Sequence, residues 1–186
     1  MNPVASTSGY TRTAIVLHWL LALAIVATFV LGLYMHELPV SPRRLTLYDY
    51  HKWAGISILA LSALRLVWRL SHRVPPDVPM PAWQARAAHT AHALLYLLFF
   101  AVPLSGWAYS SAAGFPVVVF GLLPLPDLVS PDKALAETLK GVHQLFTLSL
   151  AMLVIVHVAG ALKHQLIARD GLLARMSLRG RPGSSA

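Results

Sequence analysis

Four long apolar stretches alternate with polar segments along the chain, at residues 14–35, 53–70, 90–110 and 143–168. A helix needs about 20 predominantly apolar residues to cross a hydrocarbon layer roughly 30 Å thick. The second stretch is the shortest and carries arginines near its end. The pattern predicts an all-α membrane protein, in which four transmembrane helices form a bundle within a single membrane domain of residues 14–170.

Polar or proline-rich segments separate the four stretches. A short lead of residues 1–13 precedes them, and a basic tail of residues 171–186 follows. We expect an outer loop at residues 36–50 and, because it contains four prolines, an extended inner connection at residues 71–88. The long outer connection of residues 111–142 contains the apolar run GFPVVVFGLLPLP. Its prolines argue against a fifth spanning helix and favour a segment that lies at the interface or caps the bundle.

The distribution of charge gives the bundle an orientation. The chain is 56% apolar and 12% charged, and its formal charge is +8. Ten of the fifteen basic residues fall on one predicted side: Arg12, Arg65, Arg69, Arg73, Arg86, Lys163, Arg169, Arg175, Arg179 and Arg181. By the positive-inside rule, both termini are cytoplasmic, and the protein is expected to span the inner (plasma) membrane. The basic charge therefore indicates a lipid bilayer rather than nucleic acid as its partner.

The chain has no cysteine. This excludes iron–sulfur clusters held by thiolates, c-type haem attached through cysteines, and disulfides. Any cofactor must be held by other side chains, and the nine histidines are the natural candidates. Ionisable groups inside a bilayer are costly and usually serve a function.

The spacing of two histidines in the fourth stretch indicates the kind of cofactor site. His143 and His157 are fourteen residues apart, which places them on one helical face and about 21 Å apart along the axis. One histidine therefore lies near each edge of the hydrocarbon layer. This geometry suits one haem near each membrane surface.

Depth in the membrane supplies a partner for each of these histidines. His18 lies early in the first helix, level with His157 near the inner face, and His51 opens the second helix, level with His143 near the outer face. His89 and His92, at the start of the third helix, also lie near the inner face. Either could replace His18 as a ligand, or could instead bond a haem propionate. Arg65, Arg69 and Arg73 form a stripe at the inner end of the second helix, which either contacts lipid phosphate or pairs with haem propionates.

Four segments resemble the bacterial cytochrome b561 family, whose close relatives include a superoxide:ubiquinone oxidoreductase. They are AIVLHWL, HKWAGISILALSALRLVWR, AAHTAHALLYLLFFAVPLSGW and HQLFTLSLAMLVIVHVAGALKHQL. The resemblance implies two b-type haems with axial ligands His18 and His157 at the inner site and His51 and His143 at the outer site. It also implies ubiquinone reduction near His164 on the cytoplasmic side.

Iron with two axial imidazoles favours one-electron transfer over oxygen activation. We therefore expect an oxidoreductase, or an electron carrier, that connects a periplasmic-side donor, with superoxide one candidate, to ubiquinone. An alternative is the haem b subunit of a larger quinone-reducing dehydrogenase or hydrogenase, which would have a protein partner. A second alternative is a haem-free transporter or interaction protein whose histidines bind a metal or carry protons.

Overall fold

The protein is built from four long helices. The structure, a computed structural model, describes residues 9–178. The helices are α1 (Arg12–Glu37), α2 (Pro42–Ser71), α3 (Ala82–Ala112) and α4 (Lys133–Lys163). Each is long and apolar enough to cross a membrane, so the predicted four-helix membrane bundle is confirmed. Residues 1–8 of the predicted lead and 179–186 of the predicted tail lie outside the described residues.

Helix α2 begins at Pro42 rather than near residue 53, so the outer loop expected at residues 36–50 shrinks to residues 38–41. The Ser41 hydroxyl caps the helix by accepting a hydrogen bond from the Arg44 N–H at 3.3 Å. Pro42 occupies the first turn, where its fixed φ suits a helix and its missing N–H is not needed. The apolar stretch marked only the part of α2 that lies in the membrane, because its first turns carry polar side chains.

Helices α3 and α4 also begin earlier than predicted, at Ala82 rather than residue 90 and at Lys133 rather than residue 143. At the start of α4, the Asp132 carboxylate accepts a hydrogen bond from the Leu135 N–H at 2.8 Å. The inner connection is shorter than predicted, since only residues 72–81 are non-helical. The early starts of α3 and α4 have the same cause as that of α2. Hydropathy locates the membrane-embedded part of a helix, whereas capping residues locate its end.

The outer connection between α3 and α4 contains a small antiparallel hairpin of β1 (Val118–Val119) and β2 (Leu123–Pro124). The Trp53 indole N–H donates a hydrogen bond to the Val118 carbonyl at 2.6 Å, which fixes the hairpin against α2. Val117, just before β1, is only 1% exposed. The segment therefore packs against the end of the bundle that is predicted to be outer, and it adds no spanning helix to the described part of the chain.

The four helices pack mainly as two pairs, α1 with α2 and α3 with α4, and α2 joins the pairs by packing on α3. A core cluster of Leu95, Leu98 and Leu150 fills the middle of the α3–α4 pair. Apolar side chains such as Leu23 and Ile155, which are 69% and 62% exposed, cover the outside of the bundle. Such a surface suits lipid, whose tails are as apolar as leucine.

The inner end of α4 changes its helical form. A π-helical turn, His164–Ala168, continues the helix. Arg169 and Gly171 then adopt positive φ angles of 51° and 74°. Left-handed residues reverse the chain direction, so the segment that follows turns back towards the bundle.

Residues 169–178, termed here the C-terminal segment, are anchored to the inner end of the bundle. They include a 3₁₀ turn, Leu173–Met176. The Arg175 guanidinium donates a hydrogen bond to the Pro76 carbonyl at 2.6 Å, and the Trp19 indole N–H donates one to the Met176 carbonyl at 3.0 Å. The tail predicted from residue 171 therefore starts as a folded part of the domain.

Candidate functional site

The outer histidine pair joins α2 to α4. The ring centres of His51 and His143 are 6.3 Å apart, and their planes are nearly perpendicular, at 89°. An imidazole nitrogen bonds a transition metal at about 2 Å and its ring centre lies about 1 Å further back, so two axial histidines have ring centres about 6 Å apart. The spacing of His51 and His143 therefore suits a single metal atom between them.

Glycines on neighbouring helices make room for both rings of the outer pair. A Cβ added at Gly32 of α1 would lie 3.1 Å from His51 Cε1, and one added at Gly106 of α3 would lie 2.9 Å from His143 Cε1. Both distances are shorter than the usual separation of about 3.5–4.0 Å between packed carbon atoms. These two glycines therefore let each imidazole lie directly against a helix backbone.

Hydrogen bonds fix the orientation of the His143 ring. Its Nδ1 lies 3.0 Å from the Val102 carbonyl and 3.2 Å from the Ser105 hydroxyl. Because a carbonyl can only accept, the bond to Val102 places the hydrogen on Nδ1 and leaves Nε2 with its lone pair. Metal-binding histidines are typically oriented in this way by a partner on their second nitrogen.

A cavity of about 230 Å³ adjoins the outer pair, and all four helices line it. Apart from the two histidines, its walls are almost entirely apolar and include Phe29, Ile58 and Phe99. The His51 Nδ1 and Thr147 Oγ1 atoms in this wall are buried and have no hydrogen-bond partner within the described residues. The apolar walls beside a histidine pair fit a bound macrocycle such as haem, whose faces are themselves apolar.

The inner histidine pair joins α1 to α4. The ring centres of His18 and His157 are 6.3 Å apart, the same separation as in the outer pair, with an angle of 60° between the planes. The His92 ring centre of α3 lies 5.3 Å from that of His157, which is shorter than the separation of about 6 Å expected for two axial ligands. The distances therefore favour His18 over His92 as the second ligand, with His92 alongside.

His89 does not join this group. Its Nε2 lies 2.9 Å from the Asp77 carboxylate, and its side chain is 66% exposed. The structure therefore separates the two histidines of α3, since His89 pairs with Asp77 whereas His92 lies beside His157. Only His92 faces the inner pair.

A second cavity, of about 290 Å³, lies between α2 and α3 near the inner pair and is lined by Arg69, His89, His92, Ala93 and Tyr96. The guanidinium carbons of Arg65 and Arg69 both lie 5.8 Å from the centre of the Tyr96 ring. The Tyr96 hydroxyl is buried and makes no hydrogen bond to any described residue. Two arginines and a buried hydroxyl form a suitable environment for a carboxylate, such as a haem propionate.

His164 lies at the π-helical turn that follows α4, and its partner is Asp170. The His164 Nδ1 atom is 2.5 Å from Asp170 Oδ2, and both side chains are largely buried, with 15% and 21% exposed. The Asp170 Oδ1 atom accepts a second hydrogen bond, from the Leu172 N–H at 3.1 Å. Burial acts to raise the pKa of the Asp170 carboxyl, but the hydrogen bonds from His164 and Leu172 outweigh it and lower the pKa.

Asp170 is a residue of these sites that the sequence did not reveal. In a continuous α-helix, six residues correspond to about 9 Å along the axis and about 240° around it, so His164 and Asp170 could not meet. They meet because the chain turns back at Arg169 and Gly171. Gly171, one residue after Asp170, was the only local signal of such a turn.

No cluster of three or more histidine, aspartate or glutamate side chains within residues 9–178 is arranged to hold a metal ion. The histidines are instead arranged in two pairs at two depths. This arrangement fits an iron atom whose other four ligands belong to a macrocycle, rather than a metal ion held by the protein alone.

The chain is similar in sequence to known bacterial cytochromes. Residues 9–178 match the family described as prokaryotic cytochrome b561. Cytochrome b561 homolog 2 of Escherichia coli is 33% identical in an alignment that covers 86% of each chain. Homolog 1 of the same organism is 31% identical over 91% of this chain and 97% of its own. A probable superoxide oxidase, CybB, of Yersinia pestis is 30% identical over 90% of this chain and 94% of its own.

Proposed function

The chain belongs to the prokaryotic cytochrome b561 family, whose members bind haem b in the membrane, and from this premise we propose that it carries two such haems and passes electrons from an outer-face donor to ubiquinone. Membership makes the protein a multi-pass bacterial membrane cytochrome of electron transport. It also removes the haem-free transporter from the alternatives.

The observation that carries the proposal is the repeated 6.3 Å separation of the histidine rings, in one pair near each end of the bundle. His51 and His143 would hold the outer haem, and His18 and His157 the inner one. Haem iron with two axial imidazoles has no open coordination position and therefore exchanges single electrons at the macrocycle edge. The role of the protein is to hold the rings and exclude water from them.

Arg65, Arg69 and Tyr96 would receive a propionate of the inner haem. The two guanidinium groups and the Tyr96 hydroxyl line one side of the inner end, where a negatively charged group would otherwise be poorly solvated. A bound carboxylate would provide the unpartnered Tyr96 hydroxyl with an acceptor and the arginines with a counter-charge.

The proposed orientation places the arginine-rich end in the cytoplasm and the hairpin end in the periplasm, in the bacterial inner membrane. Arg65, Arg69 and the C-terminal segment with Arg175 lie at one end of the bundle, and the positive-inside rule assigns that end to the cytoplasm. His164 lies at the same end, seven residues beyond His157, and is the proposed contact for ubiquinone.

Superoxide is the proposed donor, on the strength of the relative named as a probable superoxide oxidase. Lys52, next to His51 in the sequence, is the cation best placed to attract an anion to the outer haem. Its ammonium group pairs with Asp49 at 2.9 Å and donates to the Pro116 carbonyl at 3.3 Å. Lys52 therefore attracts an anion only at short range, because the Asp49 carboxylate offsets most of its charge.

The test is anaerobic mixing of the purified, oxidised protein with superoxide, with and without ubiquinone. We expect superoxide to reduce the haems and added ubiquinone to reoxidise them. If superoxide leaves the haems oxidised while a chemical reductant reduces them, the donor assignment is wrong and the cytochrome assignment stands. If reduced haems are not reoxidised by ubiquinone, the quinone assignment is wrong.

A further inference from the structure

The bond between His164 and Asp170 is unusual for its position, at the end of a membrane helix. A neutral histidine at this position requires no carboxylate partner. An ionised carboxylate close to the membrane is energetically costly, so we expect the pair to have a function. The two side chains are largely shielded, and a π-helical turn brings them together. Single π-helical turns occur frequently at functional sites.

We propose that Asp170 positions His164, and acts as its counter-charge, when His164 donates a proton to the quinone oxygen that faces it. This inference rests on the proposed reduction of ubiquinone at His164 and adds the residue that makes proton delivery possible there. The class of ligand is a quinone whose carbonyl oxygen accepts a hydrogen bond from an imidazole.

The geometry assigns a task to each ring nitrogen. Because an ionised carboxylate can only accept, His164 Nδ1 donates its hydrogen to Asp170 Oδ2 over 2.5 Å. The Nε2 atom, on the far side of the ring, points away from the carboxylate and is the nitrogen available to a substrate. Asp170 therefore determines both the direction of the ring and which nitrogen faces the quinone.

The carboxylate itself is held from outside the helix. The Leu172 N–H bonds its second oxygen at 3.1 Å. The C-terminal segment that carries it is anchored to Trp19 of α1 and to Pro76 of the inner connection. Asp170 is therefore not part of a fraying helix end, and its position does not depend on His164 alone.

The charged groups of the surrounding elements engage other partners or face solvent. Lys163 of α4 lies over the Trp83 ring of α3 at 5.8 Å, and Asp77 of the inner connection pairs with His89. Arg175 donates to the Pro76 carbonyl. Arg65 and Arg69 lie against the Tyr96 ring. Four further arginines near the inner end are exposed: Arg12, Arg73, Arg86 and Arg169. Asp170 is thus the direct counter-charge of a protonated His164.

One proton passes from protonated His164 to the quinone oxygen. In protonated His164 both ring nitrogens carry hydrogen. The Nε2–H bond breaks, its electron pair stays on the ring, and the hydrogen forms an O–H bond with the quinone oxygen, while Nδ1–H stays bonded to Asp170. The two electrons would come from the two bound haems, each of which would supply one. Water from the inner side supplies the proton for the other quinone oxygen and then reprotonates His164.

The test follows the reoxidation of pre-reduced haems by a short-chain ubiquinone, under anaerobic conditions and across pH, in the full-length holoprotein. Asp170→Asn keeps an oxygen that accepts from Nδ1 but removes the charge. We expect the maximal reoxidation rate of this variant to fall about 10- to 100-fold at neutral pH. Without the carboxylate to stabilise the protonated ring, the rate should recover only at lower pH. Asp170→Glu should restore part of the rate.

Asp77→Asn is the matched control, since it neutralises the other aspartate–histidine pair at the inner end. It should leave the rate and its pH profile unchanged. Ubiquinone binding to the oxidised protein, measured by calorimetry, should change little in Asp170→Asn. Unchanged haem absorption in every variant establishes that the fold is intact.

Three outcomes are distinguishable, and each would refute one of the assignments made above. If His164→Gln leaves reoxidation unchanged, the proposed quinone site itself is wrong. If His164→Gln slows reoxidation but Asp170→Asn does not, the quinone site stands and the role of Asp170 is refuted. If Asp170→Asn weakens quinone binding and slows the reaction equally at every pH, Asp170 is merely structural and the proton-delivery role is refuted.

Discussion

Replacement of Gly106 by alanine should weaken the outer haem selectively. The new Cβ would lie 2.9 Å from His143 Cε1, which is about 0.6–1.1 Å closer than packed carbon atoms normally approach. The atom is attached to helix backbone, so the His143 ring must move. That movement would strain the bonds of its Nδ1 to Val102 and Ser105.

The expected loss of haem affinity follows from the cost of overpacking. Inserting a methyl group into a packed site typically costs about 1–3 kcal/mol. If this cost falls on the haem-bound form, the affinity of the outer haem drops roughly 5- to 150-fold, since 1.4 kcal/mol corresponds to tenfold. Alanine also favours helix by about 1 kcal/mol relative to glycine, so the control must contain the same change of helix propensity.

Gly141→Ala supplies that control. Gly141 is also helical, it lies two residues from His143, and an added Cβ there meets nothing within 4 Å. Haem content and a redox titration that resolves the two haems provide the assay. We expect Gly106→Ala to lose or shift one haem while Gly141→Ala retains both unchanged. Equal haem content and potentials in both variants would refute the argument that Gly106 makes room for a haem ligand.

Three further predictions test the ligands and the inner end. His143→Ala and His157→Ala should each remove one haem, and the spectrum of the remaining haem should differ between them; retention of both haems in either variant would show that the pairing is wrong. His18→Ala should abolish the inner haem, whereas His92→Ala should retain it with a shifted potential; the reverse pattern in a redox titration would make His92 the ligand. The lowered pKa of Asp170 means that folding is favoured by its ionisation, so its stabilisation is fully present above about pH 4 and is lost as pH falls further. Denaturation midpoints of the wild type should therefore decline over that acidic range more steeply than those of Asp170→Asn, and parallel curves would contradict the stabilising role of the carboxylate.

The paired histidines could be predicted from sequence because helix geometry is regular. The fourteen residues between His143 and His157 fix both their face and their separation. Hydropathy placed His18 and His51 at matching depths on other helices. The structure brings both predicted pairs to ring separations of 6.3 Å, although depth alone had left His92 as an alternative to His18.

The helix ends could not be predicted from hydropathy alone. Apolar content reports where a helix contacts lipid, and α2 extends well beyond that region. Ser41 followed by Pro42 is a helix-start signal that sequence inspection could have used. The distinction between His89 and His92 also depends on this earlier start, because His89 lies where Asp77 of the inner connection can reach it.

The contact of Asp170 with His164 lay beyond sequence analysis for a different reason. It depends on a π-helical turn and two left-handed residues, Arg169 and Gly171. An arginine in the left-handed region is uncommon, and its conformation is set by how the C-terminal segment packs on the bundle. Local propensity therefore gave no reason to bring residue 170 back to residue 164.

The most direct test of the central claim is the number and ligation of haems in the purified, full-length protein. Haem b per polypeptide, from the pyridine haemochrome spectrum, should be two, and electron paramagnetic resonance of the oxidised protein should show two distinct low-spin signals of iron with two axial histidines. A single haem per chain, or a high-spin signal from five-coordinate iron, would contradict the assignment of His18, His51, His143 and His157 as two axial pairs.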